Sequence, residues 1–379
     1  MDWYGNRFNE TYKYVKVSPQ NWSEVGTYDY ITSGSIEMSE DSNFKITGSF
    51  GFEGPEVPDP NYYLRVYYSF TDDDENYDQV MLGTFLISVS SLKYKDTTTG
   101  TVFSGTVNAN SILKVLDDKK YGEPFIIKKN QNAIYKAALL IQDQGFRVNF
   151  TPSSKSVSAD HTFEGGASYL EIVNWLCEFA EYRSAFVDSE GVIQLQPEIK
   201  PENQKEMIVF RDDRQSIMYP EIDEDNDWQS RANVVRLVYN TDKAYGIATV
   251  KNLSGSRMSL DSLNGREITY YEEVGDVDRG EAILKQLLDK GEKILRDEAN
   301  ETEYVTFSHA YVPIELLKAV KIEYSDFIWV GAATNISISL SAATKTQTKI
   351  KKVIESQIEV ERTGRFKATG SDSFDTVGP

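Results

Sequence analysis

The chain has 379 residues and carries 40 Lys and Arg against 59 Asp and Glu, a net charge of −19. Hydrophobic residues make up 40% and charged residues 26%, the balance of a folded soluble protein, which excludes a disordered one. So large an acidic excess disfavours phosphate backbones as ligands, because nucleic-acid affinity comes mainly from cation–phosphate contacts.

Domains of ~100–200 residues set an expectation of two to four domains. The 23 Tyr and 18 Phe favour strands. Cys177 is the single cysteine, so neither an intramolecular disulfide nor a cysteine-rich metal centre can form. Met1-Asp2-Trp3-Tyr4-Gly5 lacks the basic and apolar regions of a secretory signal. No run approaches the ~18 apolar residues of a membrane-spanning helix.

Residues 1–118 read as short strands separated by turns. In Leu64–Phe70, Leu64, Val66, Tyr68 and Phe70 share one face, the period-two signature of a half-buried strand. Phe85–Val89 and Val102–Val107 behave alike. Gly54-Pro55, the acidic run Asp72–Asn76 and Thr97–Gly100 are the turn signals between them. Short strands at such spacing predict a barrel or sandwich, here a first barrel-like β domain.

The pattern changes across 119–201. Ile134, Ala137, Ala138 and Ile141 follow helical spacing, and Gly145 sits where that helix stops. Tyr169, Ile172, Val173, Leu176, Phe179 and Ala180 form a second apolar stripe, with Ser168 as its N-cap. Strands at Phe146–Phe150, Ser184–Val187 and Val192–Gln196 complete a small α+β domain.

Residues 202–361 read as a second barrel-like β domain. Val234–Tyr239, Tyr304–Val312, Val320–Tyr324, Asn335–Ser341 and Lys349–Glu361 are its strands. A long helix is expected over 278–299, with Leu284, Leu287, Leu288, Ile294 and Leu295 on its inner face. Residues 362–379 are rich in Gly, Ser and Asp and read as a flexible tail. The predicted class is therefore α+β and β-dominated, with two barrel-like β domains flanking a small α+β domain.

The search for chemistry yields little. His309 lies on the strand face of Val305, Phe307 and Tyr311, which reads as a packed or interface histidine. His161 follows Asp160 in a polar loop; an Asp–His pair can orient a base, but no partnered nucleophile motif accompanies it. Glu221–Asp227 has the oxygen density of a calcium loop, with Asp223, Asp225 and Asp227 alternating. Trp228 stands where that loop needs Gly and Val234 where it needs the bidentate Glu, so a solvated acidic loop is the reading adopted. Cys177, beside Leu176 in the second helix, reads as a packed thiol. No Gly-x-Ser-x-Gly, His-Glu-x-x-His or Gly-rich phosphate loop occurs. The expectation is no catalytic residue, no cofactor, no metal and no enzyme.

Four stretches together carry a family likeness: Leu64–Tyr68 with Leu82–Ser88, Asn110–Leu116, Gly165–Leu176 with Asp188–Gly191, and Ala232–Val238. In this order and spacing the chain resembles the baseplate hub family of tailed bacteriophages, the hub region of tail-associated lysins without the lysin domain. The resemblance implies a homotrimeric ring in the virion tail tip, made in the host bacterial cytoplasm. It implies the tail tube or distal tail protein, the tape-measure protein and a tip spike or fibre as partners, with DNA passing through the lumen unbound. An acidic lumen that lets DNA slide is consistent with the charge. Two other readings belong to different classes. One is a carbohydrate-binding adhesin whose Trp and Tyr rings stack on sugars; the other is a wall hydrolase using paired carboxylates.

Overall fold

The computed structural model describes residues 8–71, 77–98, 100–157, 159–199, 201–212, 217–226, 231–241, 244–274, 282–299, 301–325, 327–341, 344–354, 357–368 and 375–378. The chain divides into two compact units, Met1–Ile222 with Thr306–Ile350, and Asp223–Val305 with Lys351–Pro379. The expected turn at Asp72–Asn76 lies outside the described residues.

The first unit is built on the alternation read in Leu64–Phe70. Leu64, Val66, Tyr68 and Phe70 are all fully buried on strand Tyr63–Thr71. This strand pairs antiparallel with Phe8–Val17 on one side and with the first half of Tyr77–Thr97 on the other. The second half of Tyr77–Thr97 turns to pair with Gly100–Asn110, which continues to Ile46–Gly54 and Ile31–Ser39. Ile31–Ser39 then pairs with Phe327–Leu340, setting Ile36 opposite Ile338. Strands from both predicted β domains thus share one 13-stranded sheet, ending at Glu24–Thr27 and Met218–Asn226.

Among the described residues this sheet does not close into a barrel. Irregular registers at Val66/Tyr67 and Val89/Ser91 accompany the change of partners along Tyr77–Thr97. Aromatic side chains fill the interior: Phe50 meets Phe85 edge-on at 6.1 Å and Tyr14 at 6.0 Å, and Tyr68 lies 5.2 Å from Tyr311.

Several hydroxyls are buried with these rings. The Tyr28 hydroxyl donates to the Asp59 carbonyl at 2.7 Å and the Tyr12 hydroxyl to the Ser341 carbonyl at 3.1 Å. Burial pushes Tyr12 and Tyr14 up to about 12 and raises Tyr28 and Tyr63 as well. A raised tyrosine is favoured in its neutral form by folding. Its contribution is full below the free phenol value near 10 and is lost as pH climbs toward about 12. Base titration should show a late phase of tyrosinate absorbance that rises together with unfolding; a single phase complete near pH ~10 with the fold intact would contradict this burial.

Helix α1 (Leu113–Asp118) ends the predicted first β domain, and residues of the predicted α+β domain form helices α2 (Ala133–Gln142) and α3 (Tyr169–Phe179) with short strands. Helix α1 was not expected from the sequence. Asn132 caps α2 by accepting from the Tyr135 N–H at 2.9 Å. Ser168 caps α3 in a reciprocal capping box with Glu171. Gly145 follows α2 at φ +81°, a left-handed value that a residue without Cβ takes at little cost. Val148–Phe150 pairs parallel with Ile193–Leu195, which pairs antiparallel with Phe186–Val187. Ile134, Ala137, Ile141, Ile172, Val173 and Leu176 are buried in one core with Ile193 and Leu195.

The second unit holds a five-stranded sheet in the order Thr269–Glu273, Val234–Thr241, Ala244–Ser254, Glu359–Ala368 and Asp375–Val377. Helix α4 (Ile283–Ala299) buries Leu284, Leu287, Leu288 and Leu295 against Val235, Leu237, Ala248 and Val250. A sheet whose apolar face is covered by a helix needs no closure, and it remains open instead of forming the expected barrel. The expected start of the long helix at 278–281 lies outside the described residues. The single strand expected over Lys349–Glu361 is two, Lys345–Ile354 and Glu359–Ala368, and the second pairs with Asp375–Val377, so ladder bonds hold part of the predicted tail. Arg362 on this strand reaches Asp289 at 2.6 Å and Glu292 at 3.1 Å.

Candidate functional site

The residues singled out from the sequence lie apart and serve packing or surface pairing. His309 is fully buried on strand Glu301–Ala310. Its Nδ1 lies 2.6 Å from the Ala310 carbonyl, which can only accept, so Nδ1 carries the proton. Nε2 lies 2.8 Å from the Thr348 hydroxyl. Phe210 and Phe307 pack on the ring at 4.6 and 5.1 Å. This is an imidazole fixed inside a core.

Asp160 does not orient His161. Its carboxylate accepts from the Lys129 backbone N–H at 2.7 Å and the Lys128 ammonium at 3.0 Å, which hold it below its ordinary value. His161 stacks on Trp175, with ring centres 4.1 Å apart and planes at 16°. Strand His161–Phe163 pairs antiparallel with Phe125–Ile127, so the end of the expected polar loop is one strand of a two-stranded sheet.

Cys177 is buried in α3, and burial pushes its thiol up to about 12. Almost no thiolate exists at neutral pH, so the residue lacks a nucleophile's charge state. Native protein should therefore resist a thiol reagent that labels it rapidly in denaturant. Fast labelling of the folded chain would overturn this placement.

The acidic stretch corrects the loop expectation. Glu221–Asn226 belongs to strand Met218–Asn226, whose extended backbone cannot wrap around an ion as a calcium loop does; Asp227 lies outside the described residues. Among the described residues no group of three or more His, Cys, Asp or Glu is placed to hold a metal ion. Also among the described residues, no helix is long and apolar enough to cross a membrane.

One apolar groove of about 530 Å³ occurs in the second unit. Ile283, Leu284, Leu288, Phe366 and Val377 line it, and its Arg362 is already engaged by Asp289 and Glu292. It lacks the convergent polar groups that would direct a reaction.

The sequence reading passed over two bare sheet edges. Among the described strands, the far half of Tyr77–Thr97 pairs with Gly100–Asn110 alone, and Met218–Asn226 with Glu301–Ala310 alone. Ser91–Thr98 is exposed throughout, including Tyr94 at 75%. The signal available in the sequence was the alternation of Leu92 and Tyr94 with Lys93 and Lys95 beyond Val89.

No family model matches the chain, and no curated protein matches it. Solved structures do match. A tail protein from Neisseria meningitidis superposes over 90% of this chain and 96% of its own, with a TM-score of 0.61 and 12% identity. The 43 kDa tail protein of prophage MuSo2 from Shewanella oneidensis matches over 89% and 98%, with a TM-score of 0.59 and 11% identity. The chain shares the fold of these tail proteins, and the family likeness read in the sequence is met at the level of fold.

Proposed function

We propose that the chain is a structural hub subunit of a phage tail tip or baseplate. The supporting observation is a single fold running through 89% of this chain and 98% of a prophage tail protein. In this reading three copies form a ring that joins the tail tube to the distal tip. The two barrel-like portions, 1–118 and 202–361, each contribute β structure to that ring, while 119–201 forms the insert between them. Partners are the tail tube or distal tail protein, the tape-measure protein and a spike or fibre, to which 362–379 contributes contacts. The protein is made in the host bacterial cytoplasm and resides in the virion.

DNA passes through the ring without specific binding. A net charge of −19 supports this, because like charge between wall and phosphates prevents adhesion. The role is non-enzymatic: His309 is packed inside a core and the buried Cys177 is protonated, so neither is placed as an activated group. Native mass measurement tests the ring. Purified protein, alone or with its tail-tube neighbour, should give three times the 43.0 kDa chain mass. A single-chain mass under both conditions would refute the ring.

A further inference from the structure

We infer that neighbouring copies join edge to edge, the bare edge around Tyr94 of one copy adding to the bare edge around Ile222 of the next. The inference rests on the ring reading above and supplies its contact.

The first edge belongs to the hairpin strand. Tyr77–Thr97 pairs with Tyr63–Thr71 only as far as Phe85. From Leu86 onward its one partner among the described strands is Gly100–Asn110. Thr97 and Gly100 form the closing pair of this hairpin, so their main chains face each other. Counting back three residues, the Tyr94 N–H and C=O point to the outer edge. Lys93 and Lys95 share one face of this edge, and neither has an ion-pair partner among the described residues.

The second edge ends the large sheet. Ala310 N–H donates to the Ile217 carbonyl at 2.9 Å, so by alternation Ile222, five residues on, turns its N–H and C=O away from that neighbour. Pro220 falls on the same outer side and has no N–H to donate, so bonds to an added strand run from Ile222 onward. Its carbonyl accepts from the Tyr324 hydroxyl at 3.0 Å, which caps that end. Glu221, Asp223, Glu224 and Asp225 are exposed, with no ion-pair partner among the described residues.

The two edges match in parity as well as in charge. Setting Tyr94 opposite Ile222 pairs two residues whose main-chain groups both point outward. It also places Lys93 and Lys95 opposite Asp223 and Glu221, on one face of the new pair. An antiparallel arrangement is required, because the parallel one would set Asp96 against Glu224. Self-pairing is disfavoured at both edges: two hairpins would oppose lysines, and two acidic strands would oppose carboxylates. Only the head-to-tail contact remains, which is the kind that closes a ring.

Charge reversal tests this. K93E/K95E and E221K/D223K should each weaken assembly roughly tenfold or more in native mass and sedimentation, since two attractive cross-strand pairs become repulsive. Placing all four changes on one chain should restore it. As a second readout, Tyr94→Cys and Ile222→Cys proteins should form a disulfide-linked dimer only when mixed. A wild-type ring that ignores every reversal and gives no mixed disulfide overturns the edge pairing alone. A wild-type protein that stays single overturns the edge pairing and the ring together.

Discussion

Replacing Phe50 with alanine should cost the first unit about 3–5 kcal/mol, the range for deleting a fully buried aromatic ring. Phe50 is completely buried and meets both Phe85 and Tyr14 edge-on. Its slot is shaped by two glycines. A Cβ on Gly34 would come within 2.5 Å of the ring, and one on Gly48 within 2.8 Å. Such a slot cannot collapse onto the vacated space, because no side chain stands on either glycine to move in. Gly48→Val should destabilise by the opposite route, driving the ring out of its place at about 1–3 kcal/mol. Urea unfolding followed by hydrogen exchange at Ile46–Gly54 measures both. A Phe50→Ala loss below about 1 kcal/mol would mean that this ring is not central to the core.

Leu295→Ala should weaken the second unit by about 2–5 kcal/mol and leave exchange in Tyr63–Thr71 unchanged. Leu295 is fully buried on α4, in the cluster with Val235, Leu237 and Val250. The helix approaches the sheet closely at Gly291, where a Cβ would lie 2.9 Å from Val250 Cγ2. A glycine inside a helix costs about 1 kcal/mol in propensity, and here it permits that approach. Faster exchange in Val234–Thr241 and Ala244–Ser254 is the expected signature. Equal effects in both units would show that the two do not open independently.

Much of this fold was legible where local pattern and burial agree. The alternation of Leu64, Val66, Tyr68 and Phe70 survives into the buried face of a central strand. Ser168 with Glu171 is a cap readable from residue type and spacing alone. Strands Ile31–Ser39 and Ile46–Gly54 escaped notice because Gly34, Gly48 and Gly51 lower their strand preference. Their glycines serve Phe50, a requirement visible only once the strands are paired. The join of Ile36 to Ile338 spans most of the chain, and no local pattern encodes it. It also puts strands of both predicted β domains into one sheet. Glu221–Asn226 read as a loop because Asp and Asn favour turns, yet pairing with Glu301–Ala310 makes it a strand. His309 could be placed in a core from its neighbours, but not its bond to Thr348, which comes from a different strand.

The proposal that this chain builds a phage tail tip is tested most directly by locating it in particles. Antibodies raised against the purified chain, applied to intact virions and viewed by electron microscopy, should mark the distal end of the tail. Label confined to the head or spread along the tail shaft, or virions that lack the chain altogether, would contradict the account.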